Sequence, residues 1–304
     1  MRATSALRAS LLLGVLVGAS AASLGAAAQS AASCDRACLK GFIDIYIDAL
    51  SRRDPSKLPA AADLKYTENG RVLTFGQGFW RTAGAPTRYR EYVLDPEASE
   101  AATQTALHEY DGIAQMFLRV KIASGQYKEI ETFVVRAGDQ QWFAPENLEH
   151  LSDIYSRAVP ANERHTREEL MAAANAYFTA VETEGTPEFV QAPFDPAMKR
   201  IENGLQTTNV KENPILERHT WPPALQLERA SYKGLMVTNR RFPVVDTEHG
   251  TVVGMAMFRR AEADTTTLLF AEMFKVTGGR LREIRAVMLN LPHGAENGWT
   301  TAPD

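Results

Sequence analysis

The sequence has 304 residues, of which 45% are hydrophobic and 23% charged, and its formal net charge is −4 at pH 7. Acidic and basic residues are interspersed, so the composition excludes the concentrated basic surfaces of proteins that bind nucleic acid or anionic membranes. The length suits two domains of ordinary size, each able to bury about two-thirds of its unfolded surface.

Residues 1–28 are predicted to form a secretory signal peptide. Arg2 and Arg8 precede an apolar run that ends at the small residues Ala26-Ala27-Ala28, which is typical of a cleavage site. The run is too short and too rich in alanine to hold a bilayer span well. We therefore expect a secreted protein, periplasmic or extracellular, without membrane association after cleavage. A lipoprotein acylated at Cys34 is disfavoured, because Ala31 stands where a large aliphatic residue is needed.

Cys34 and Cys38 are the only cysteines, and both follow the predicted cleavage site. In an oxidising compartment, two thiols four residues apart at the start of a helix can form a disulfide. The closed loop is short, so the bond should contribute about 2 kcal/mol. A redox centre is disfavoured because the spacing is one residue longer than C-x-x-C.

The first half begins with apolar residues three or four apart, a pattern that predicts an amphipathic helix; they are Leu39, Phe42, Ile43, Tyr46, Ile47 and Leu50. Asn69-Gly70 predicts a tight hairpin turn. Extended patterns then predict strands over 89–94, 103–110, 113–122 and 127–136, with a turn at Gly125.

The second half repeats this order. Thr166-x-x-Glu169 forms a capping box before a helix, Asn203-Gly204 predicts a second hairpin, and strands are predicted over 232–239, 251–259, 268–276 and 281–289. An additional 20 residues fall around 213–223. Loops of this length often have a functional role.

Three motifs recur in the same order. K-x-x-E-N-G begins at Lys65 and again at Lys199; upstream, Tyr46 matches Tyr177 on a helical pattern; downstream, a K-[IV]-x-x-G-x-x-[KR]-E-I hairpin begins at Lys121 and at Lys275. A third Glu-Asn-Gly near the C-terminus has no matching flanks. The recurrence predicts a tandem duplication with domains at 34–160 and 161–304.

These motifs resemble the nuclear transport factor 2-like superfamily, also called SnoaL-like, in tandem duplicate. More closely, the Cys34–Cys38 segment followed by Tyr66-Thr67-Glu68-Asn69-Gly70 resembles an uncharacterised secreted family of such duplicates. The resemblance implies an α+β fold of two tandem cone-shaped domains, each a long N-terminal helix packed on a curved antiparallel sheet. It also implies a pocket inside the cone, which in this superfamily serves ketosteroid isomerases, scytalone dehydratase and limonene epoxide hydrolase as well as non-catalytic binders.

Enzymes of this superfamily place a tyrosine, a carboxylate and sometimes a histidine or arginine inside the cone, where desolvation raises the pKa of the carboxyl. If the protein is an enzyme, we expect the site in the second half, because the insertion and the stretch from Arg240 to His249 together supply an acid, a base and a partner for an oxyanion. We assign His219 and Tyr177 to proton handling, Asp246 to orientation or base catalysis, and Arg241 to stabilising negative charge. Candidates for substrate binding are Trp221, Arg240, Tyr232 and His249. The simpler alternative is that the segment from Asp246 to Gly250 is an exposed polar turn.

Two hypotheses about function remain. The first is a secreted, cofactor-independent lyase or isomerase that acts on a small carbonyl or hydroxylated compound in the second domain. The second is a non-catalytic protein that binds a small ligand or serves in assembly. No metal or nucleotide is expected, because metal-ligand spacings and phosphate-binding glycine loops do not occur in the sequence. The sequence leaves open whether the protein is an enzyme, what its substrate is and whether it forms a homodimer.

Overall fold

The computed structural model describes, besides Met1, residues 34–182, 192–229, 234–261 and 266–300. The predicted signal peptide and Tyr232 therefore lie outside the described residues, Met1 excepted. Within the described part of the chain, no helix is long and apolar enough to cross a membrane.

The first half is one helix followed by a six-stranded sheet. Its elements are α1 (Arg36–Ser51), β1 (Ala60–Glu68), β2 (Arg71–Val72), β3 (Ala83–Asp95), β4 (Glu100–Glu109), β5 (Gly112–Ala123) and β6 (Gln126–Val135). The strand order is β2-β1-β6-β5-β4-β3. All neighbouring strands are antiparallel except β1 and β6, which are parallel. Helix α1 packs on β3 and β4 and closes the apolar interior.

The second half has the same architecture. Its elements are α2 (Arg167–Glu182), β7 (Phe194–Glu202), β8 (Leu205–Gln206), α3 (Pro223–Arg229), β9 (Met236–Asp246), β10 (Thr251–Arg259), β11 (Thr267–Thr277) and β12 (Arg280–Leu291). The order β8-β7-β12-β11-β10-β9 matches the first sheet strand for strand. The α+β fold with two sheet-based halves is confirmed. The insertion lies in the connection between β8 and β9, and α3 begins at the end of the predicted range 213–223. The domain boundary at 160/161 stays a prediction.

Both helices begin as their sequences indicate. The Asp35 carboxylate accepts a hydrogen bond from the backbone N–H of Cys38 at 2.8 Å, and Cys34 and Cys38 form the expected disulfide. At α2, the N–H of Glu169 donates to Thr166 Oγ1 at 3.2 Å, and the N–H of Thr166 donates to the Glu169 carboxylate at 2.9 Å. This reciprocal pair is the predicted capping box.

The asparagine of each K-x-x-E-N-G motif extends the parallel strand pairing beyond the end of its strand. Asn69 Oδ1 accepts from the N–H of Val134 at 2.8 Å, and its Nδ2 donates to the same residue's carbonyl at 3.1 Å. Asn203 makes the equivalent pair of bonds with Met288, at 2.9 and 2.8 Å. The amide side chain thus takes the place of a strand residue, which explains why the motif occurs in both halves.

The glycine of each motif has a positive φ, +76° at Gly70 and +87° at Gly204. Each is also covered by the chain that follows the other half. A Cβ on Gly204 would overlap the carbonyl oxygen of Ala144, in the linker that connects β6 to α2. A Cβ on Gly70 would overlap the carbonyl oxygen of Glu296, in the C-terminal segment that follows β12. Only glycine fits both the backbone conformation and the close approach.

The outer faces of the two sheets pack against each other through an apolar cluster that includes Val93, Phe117 and Phe133 from the first half and Val253, Met255 and Met273 from the second. Because Cβ positions alternate between the two faces of a sheet, the remaining strand residues point to the inner face. That face and α1 or α2 together enclose the apolar interior of each half.

Two reciprocal arginine–aspartate pairs join the halves. Arg36, at the start of α1, donates to Asp246 at 2.8 Å, and Arg167, at the start of α2, donates to Asp95 at 2.6 Å. Each aspartate also accepts from the backbone N–H of the residue just before the other aspartate, at 3.3 and 2.8 Å. The same contact thus occurs on both sides of the interface.

In two further ion pairs at the interface, the first half supplies the glutamate and the second half the arginine. Arg241 contacts Glu131 at 2.7 Å, and Arg285 contacts Glu91 at 2.7 Å. Glu91 and Arg241 occupy matching positions of β3 and β9, while Glu131 and Arg285 match on β6 and β12. Charges buried in an interface must be paired. Matching positions therefore carry an acid in one half and a base in the other, which is a difference between two otherwise similar halves.

Candidate functional site

A cavity of about 480 Å³ lies inside the second half. Its walls come from the linker, α2, β7, the insertion and the last three strands. Among its lining residues are Gln140, Trp142, Tyr177, Val181, Arg200, Glu202, Thr207, Arg218, His219, Gln226, Leu235, Phe258, Arg259, Arg260, Leu268, Glu272 and Met288. The volume is in the range typical of small-molecule sites.

Glu272 lies at the middle of β11, on the inner face of the sheet between Phe270 and Phe274. Its side chain is only 2% exposed, and its Oε2 has no hydrogen-bond partner among the described residues. Burial raises the pKa of this carboxyl to about 8; the charge of Arg200 opposes the rise and that of Glu202 adds to it. A protonated carboxyl therefore lines the cavity near neutral pH.

His219 is brought to the cavity by the insertion, where the short helical turn Glu217–Thr220 holds it. It is 2% exposed, its ring packs edge-on against that of Trp142 with 5.1 Å between centroids, and its Nδ1 has no hydrogen-bond partner in the described structure. Burial lowers the pKa of the imidazole below its ordinary value of 6.5, which favours the neutral ring.

Arg200 supplies a fixed positive charge in the wall of the cavity, with 6% of the residue exposed. Its Nε donates to Thr207 Oγ1 at 3.1 Å and lies 3.2 Å from Glu202. Nη1 donates to the Tyr177 hydroxyl at 3.4 Å, and Nη2 donates to Gln226 of α3. The insertion therefore also holds this guanidinium in position.

The first half fills the corresponding space. The repeat spacing places Tyr66 at the position of Arg200 and Leu118 at the position of Glu272. Tyr66, Phe75, Trp80 and Tyr46 pack edge-to-face in sequence, with ring centroids 5.2 to 5.7 Å apart. The first half is thus a packed aromatic core where the second half has an open polar cavity.

Of the residues assigned from the sequence, the structure brings His219 and Tyr177 to the same cavity. Asp246 is not among its lining residues. Burial alone would raise the pKa of Asp246, but hydrogen bonds from His249 and Arg36 outweigh it and hold the pKa at about 2. Arg36 also contacts His249 Nδ1 at 2.7 Å. The expectation that Asp246 and His249 lie with His219 therefore needs correction, because both belong to the contact between the halves.

Three of the other assigned residues also lie outside the cavity lining. Arg241 pairs with Glu131 at the interface. Arg240 binds side chains of α2, among them Glu182. Trp221 contacts the guanidinium of Arg229, 5.4 Å from its ring centroid. Tyr232 lies outside the described residues, so its assignment stays a prediction.

Sequence reasoning missed Glu272, Arg200, Trp142 and Gln226. For two of them a signal was present. Glu272 is a lone carboxylate at an inward position of a strand whose other inward residues are apolar. Arg200 replaces the tyrosine that the first half has at the matching position. A comparison of the halves position by position would have found both.

Within the described ranges, no group of three or more His, Cys, Asp or Glu side chains is arranged to hold a metal ion.

A model of one protein family matches residues 163–288; it is described as a domain of unknown function, DUF8021. The matched segment contains α2, the insertion and most of the second sheet, and so includes His219 and Glu272. No curated protein matches the chain.

Three solved structures are similar to part of the chain. A protein of unknown function with a cystatin-like fold from Methylobium petroleophilum PM1 is 17% identical, with a TM-score of 0.31, over 36% of this chain and 83% of that one. A protein from Kribbella flavida DSM 17836, provisionally named a ketosteroid isomerase, is 18% identical, with a TM-score of 0.27, over 42% and 94%. An NTF2-like protein from Burkholderia xenovorans LB400 is 16% identical, with a TM-score of 0.24, over 40% and 91%. Each match covers a share of this chain comparable to one of its halves.

Proposed function

We propose that the second half of this protein is a cofactor-independent proton-transfer enzyme, an isomerase or lyase, acting on a small carbonyl or hydroxylated compound in the cavity. One observation carries the proposal: a buried acid and a buried base, with pKa values displaced in opposite directions, line the same cavity. Each has a polar atom without a partner among the described residues. Pairs of this kind assign acid and base roles in enzymes.

The two groups suit a proton shift next to a carbonyl. Neutral His219, with Nδ1 unprotonated, would take a proton from the carbon beside the carbonyl, while the Glu272 carboxyl would give its proton to the carbonyl oxygen. The product of this step is the neutral enol. Return of the proton from His219 to a different carbon, while the enol O–H gives its proton back to Glu272, yields an isomer. Departure of a neighbouring hydroxyl as water takes the proton from His219, and the enol O–H again gives its proton to Glu272, which yields a dehydrated product. The positive charge of Arg200 would stabilise negative charge that develops on the oxygen.

The insertion supports placing the site in the second half, and the disulfide supports export. The insertion supplies His219 and Gln226, and the first half, which lacks it, has an aromatic core at the same place. The Cys34–Cys38 disulfide is typical of an oxidising compartment, which supports export. We propose a small-molecule substrate as the partner of this protein.

Deuterium exchange tests the proposal without knowledge of the natural substrate. Small ketones and hydroxy ketones are incubated with the protein in deuterated buffer, and loss of the proton beside the carbonyl is followed by NMR. We expect exchange by wild type, and a loss of about 10²–10⁴-fold in Glu272→Gln and His219→Ala. Exposed Glu163→Gln and Asp246→Asn serve as controls and should retain activity.

Equal exchange by all of these proteins would contradict the assignment of the acid and base. Saturable binding of the same compounds without any exchange would favour the alternative, a non-catalytic binding protein.

A further inference from the structure

We propose that the substrate is an organic anion whose charged group, a carboxylate or phosphate, binds at the arginine-lined end of the cavity while its carbonyl lies toward Glu272. This inference deepens the proposed function and depends on the same cavity. It comes from Arg218 and Arg260, which have no part in the proton transfer.

Arg218 and Arg260 lie toward the open end of the cavity, since each is more exposed than Glu272 or His219. In the described structure, neither takes part in an ion pair. Arg259 differs, because its guanidinium contacts Met257 on the outer face of the sheet, the carbonyl of Ala295 and the carboxylate of Glu296. The open end therefore has guanidinium groups that no described carboxylate fully neutralises.

The charge of the described part of the lining has the same sign. There, the guanidinium groups of Arg200, Arg218 and Arg260 face two carboxyl groups. One of these, Glu272, is protonated near pH 7; the other, Glu202, is paired with Arg200. A cavity with such an excess of positive charge and low-dielectric walls concentrates anions.

The unpartnered polar atoms indicate where a ligand has oxygen atoms. Protonated Glu272 offers a hydrogen to an acceptor at the deep end, and Arg218 and Arg260 offer theirs nearer the opening. Between them the lining is partly apolar, with Trp142, Leu235 and Leu268 among its residues. A compound with a carbonyl oxygen, a short apolar body and a terminal anionic group matches this arrangement.

Calorimetry with matched probes tests the inference. The probes are 4-oxo-4-phenylbutanoate, its methyl ester, and the phosphonate with the same skeleton. We expect both anions to bind more tightly than the neutral ester, and Arg260→Gln to weaken the anions about fivefold without changing the ester. Arg218→Gln should act in the same direction. Arg71→Gln, an exposed arginine of the first half, is the control and should bind all three as wild type does. A higher affinity of the acid or of the phosphonate identifies which anionic group the cavity prefers.

Equal affinity for the acids and the ester, or binding of none of the three at millimolar concentration, overturns the anion assignment. Loss of anion affinity to the same extent in Arg71→Gln also overturns it, because the effect would then come from the overall charge. Deuterium exchange of the bound probes separates this inference from the proposed function. Exchange of the ester at the rate of the acids refutes only the substrate class, whereas tight anion binding with no exchange refutes only the proton transfer.

Discussion

Replacing Glu272 by glutamine should stabilise the protein at alkaline pH and leave its stability unchanged at acidic pH. The carboxyl has a pKa of about 8 in the folded protein because of its burial, against an ordinary value of 4.5. Between these values the folded protein keeps the proton that the unfolded chain has lost. The stability linked to this group is therefore fully present below pH 4.5 and is lost as the pH rises through about 8. Glutamine resembles the neutral carboxyl at every pH.

The difference between the two pKa values, at about 1.4 kcal/mol per pH unit, sets an upper limit of about 5 kcal/mol on this loss. Relaxation of the cavity around the charged carboxylate reduces it. We therefore expect the variant to be about 2–5 kcal/mol more stable than wild type at about pH 9, and equal to it near pH 4.5.

Urea denaturation of both proteins at each pH, at constant ionic strength, measures the effect. Only the difference between the two proteins is interpreted, because every other titrating group is common to both. The exposed Glu163→Gln variant should track wild type at both pH values. A Glu272→Gln protein whose advantage over wild type is the same at acidic and alkaline pH would refute the burial of an ionisable carboxyl at this position.

Further predictions concern the cavity, the interface and the turns. The pH profile of deuterium exchange should show an acidic limb below pH 6.5 and an alkaline limb near pH 8; a flat profile would contradict the acid–base pair. Asp246→Asn should cost about 2 kcal/mol at neutral pH, with the cost disappearing as the pH falls through about 2, and should leave exchange activity unchanged; urea titrations and the exchange assay check this. Gly204→Ala should cost more than about 2 kcal/mol, whereas Gly125→Ala, with a positive φ but open space around its Cβ, should cost about 1 kcal/mol; similar losses would contradict the role given to the close approach. Replacing Cys34 and Cys38 together by serine should lower thermal stability by about 2 kcal/mol without changing probe affinity, and a loss of affinity would link the disulfide to the cavity.

The parts of the fold that depend on local chemistry could be predicted from the sequence. Asn-Gly at both repeats predicted turns, and Gly70 and Gly204 do have positive φ. The capping box at Thr166 and the short cysteine spacing likewise need only neighbouring residues. The recurrence of these signals in one order then predicted two similar halves.

The candidate site could be predicted only in part, because its charges are set by contacts between distant residues. Asp246 and Arg241 stand near each other in the sequence, which suggested a common site. Their partners are Arg36, 210 residues away, and Glu131, 110 residues away, both in the first half. The sequence contains no sign of which sheet faces meet, so interface charges and cavity charges could not be told apart.

The cavity residues themselves show how the matching motifs conceal a difference between the halves. The motifs matched because both halves need the same turns and the same sheet register. Glu272 stands where the first half has Leu118, outside every shared motif, so the search for recurrence passed over it. The departures from the repeat, rather than the repeat itself, mark the candidate site.

Carbon-13 NMR of the side-chain carboxyl groups, in protein labelled at glutamate, tests the central claim most directly. Comparison with the Glu272→Gln variant assigns the Glu272 signal, which is then followed as the pH is raised. We expect the Glu272 carboxyl to titrate with a midpoint near pH 8, and we expect this midpoint to shift when 4-oxo-4-phenylbutanoate is added. A midpoint near 4.5, unaffected by the probe, would contradict it, because the cavity would then lack the protonated carboxyl on which the proposed chemistry depends.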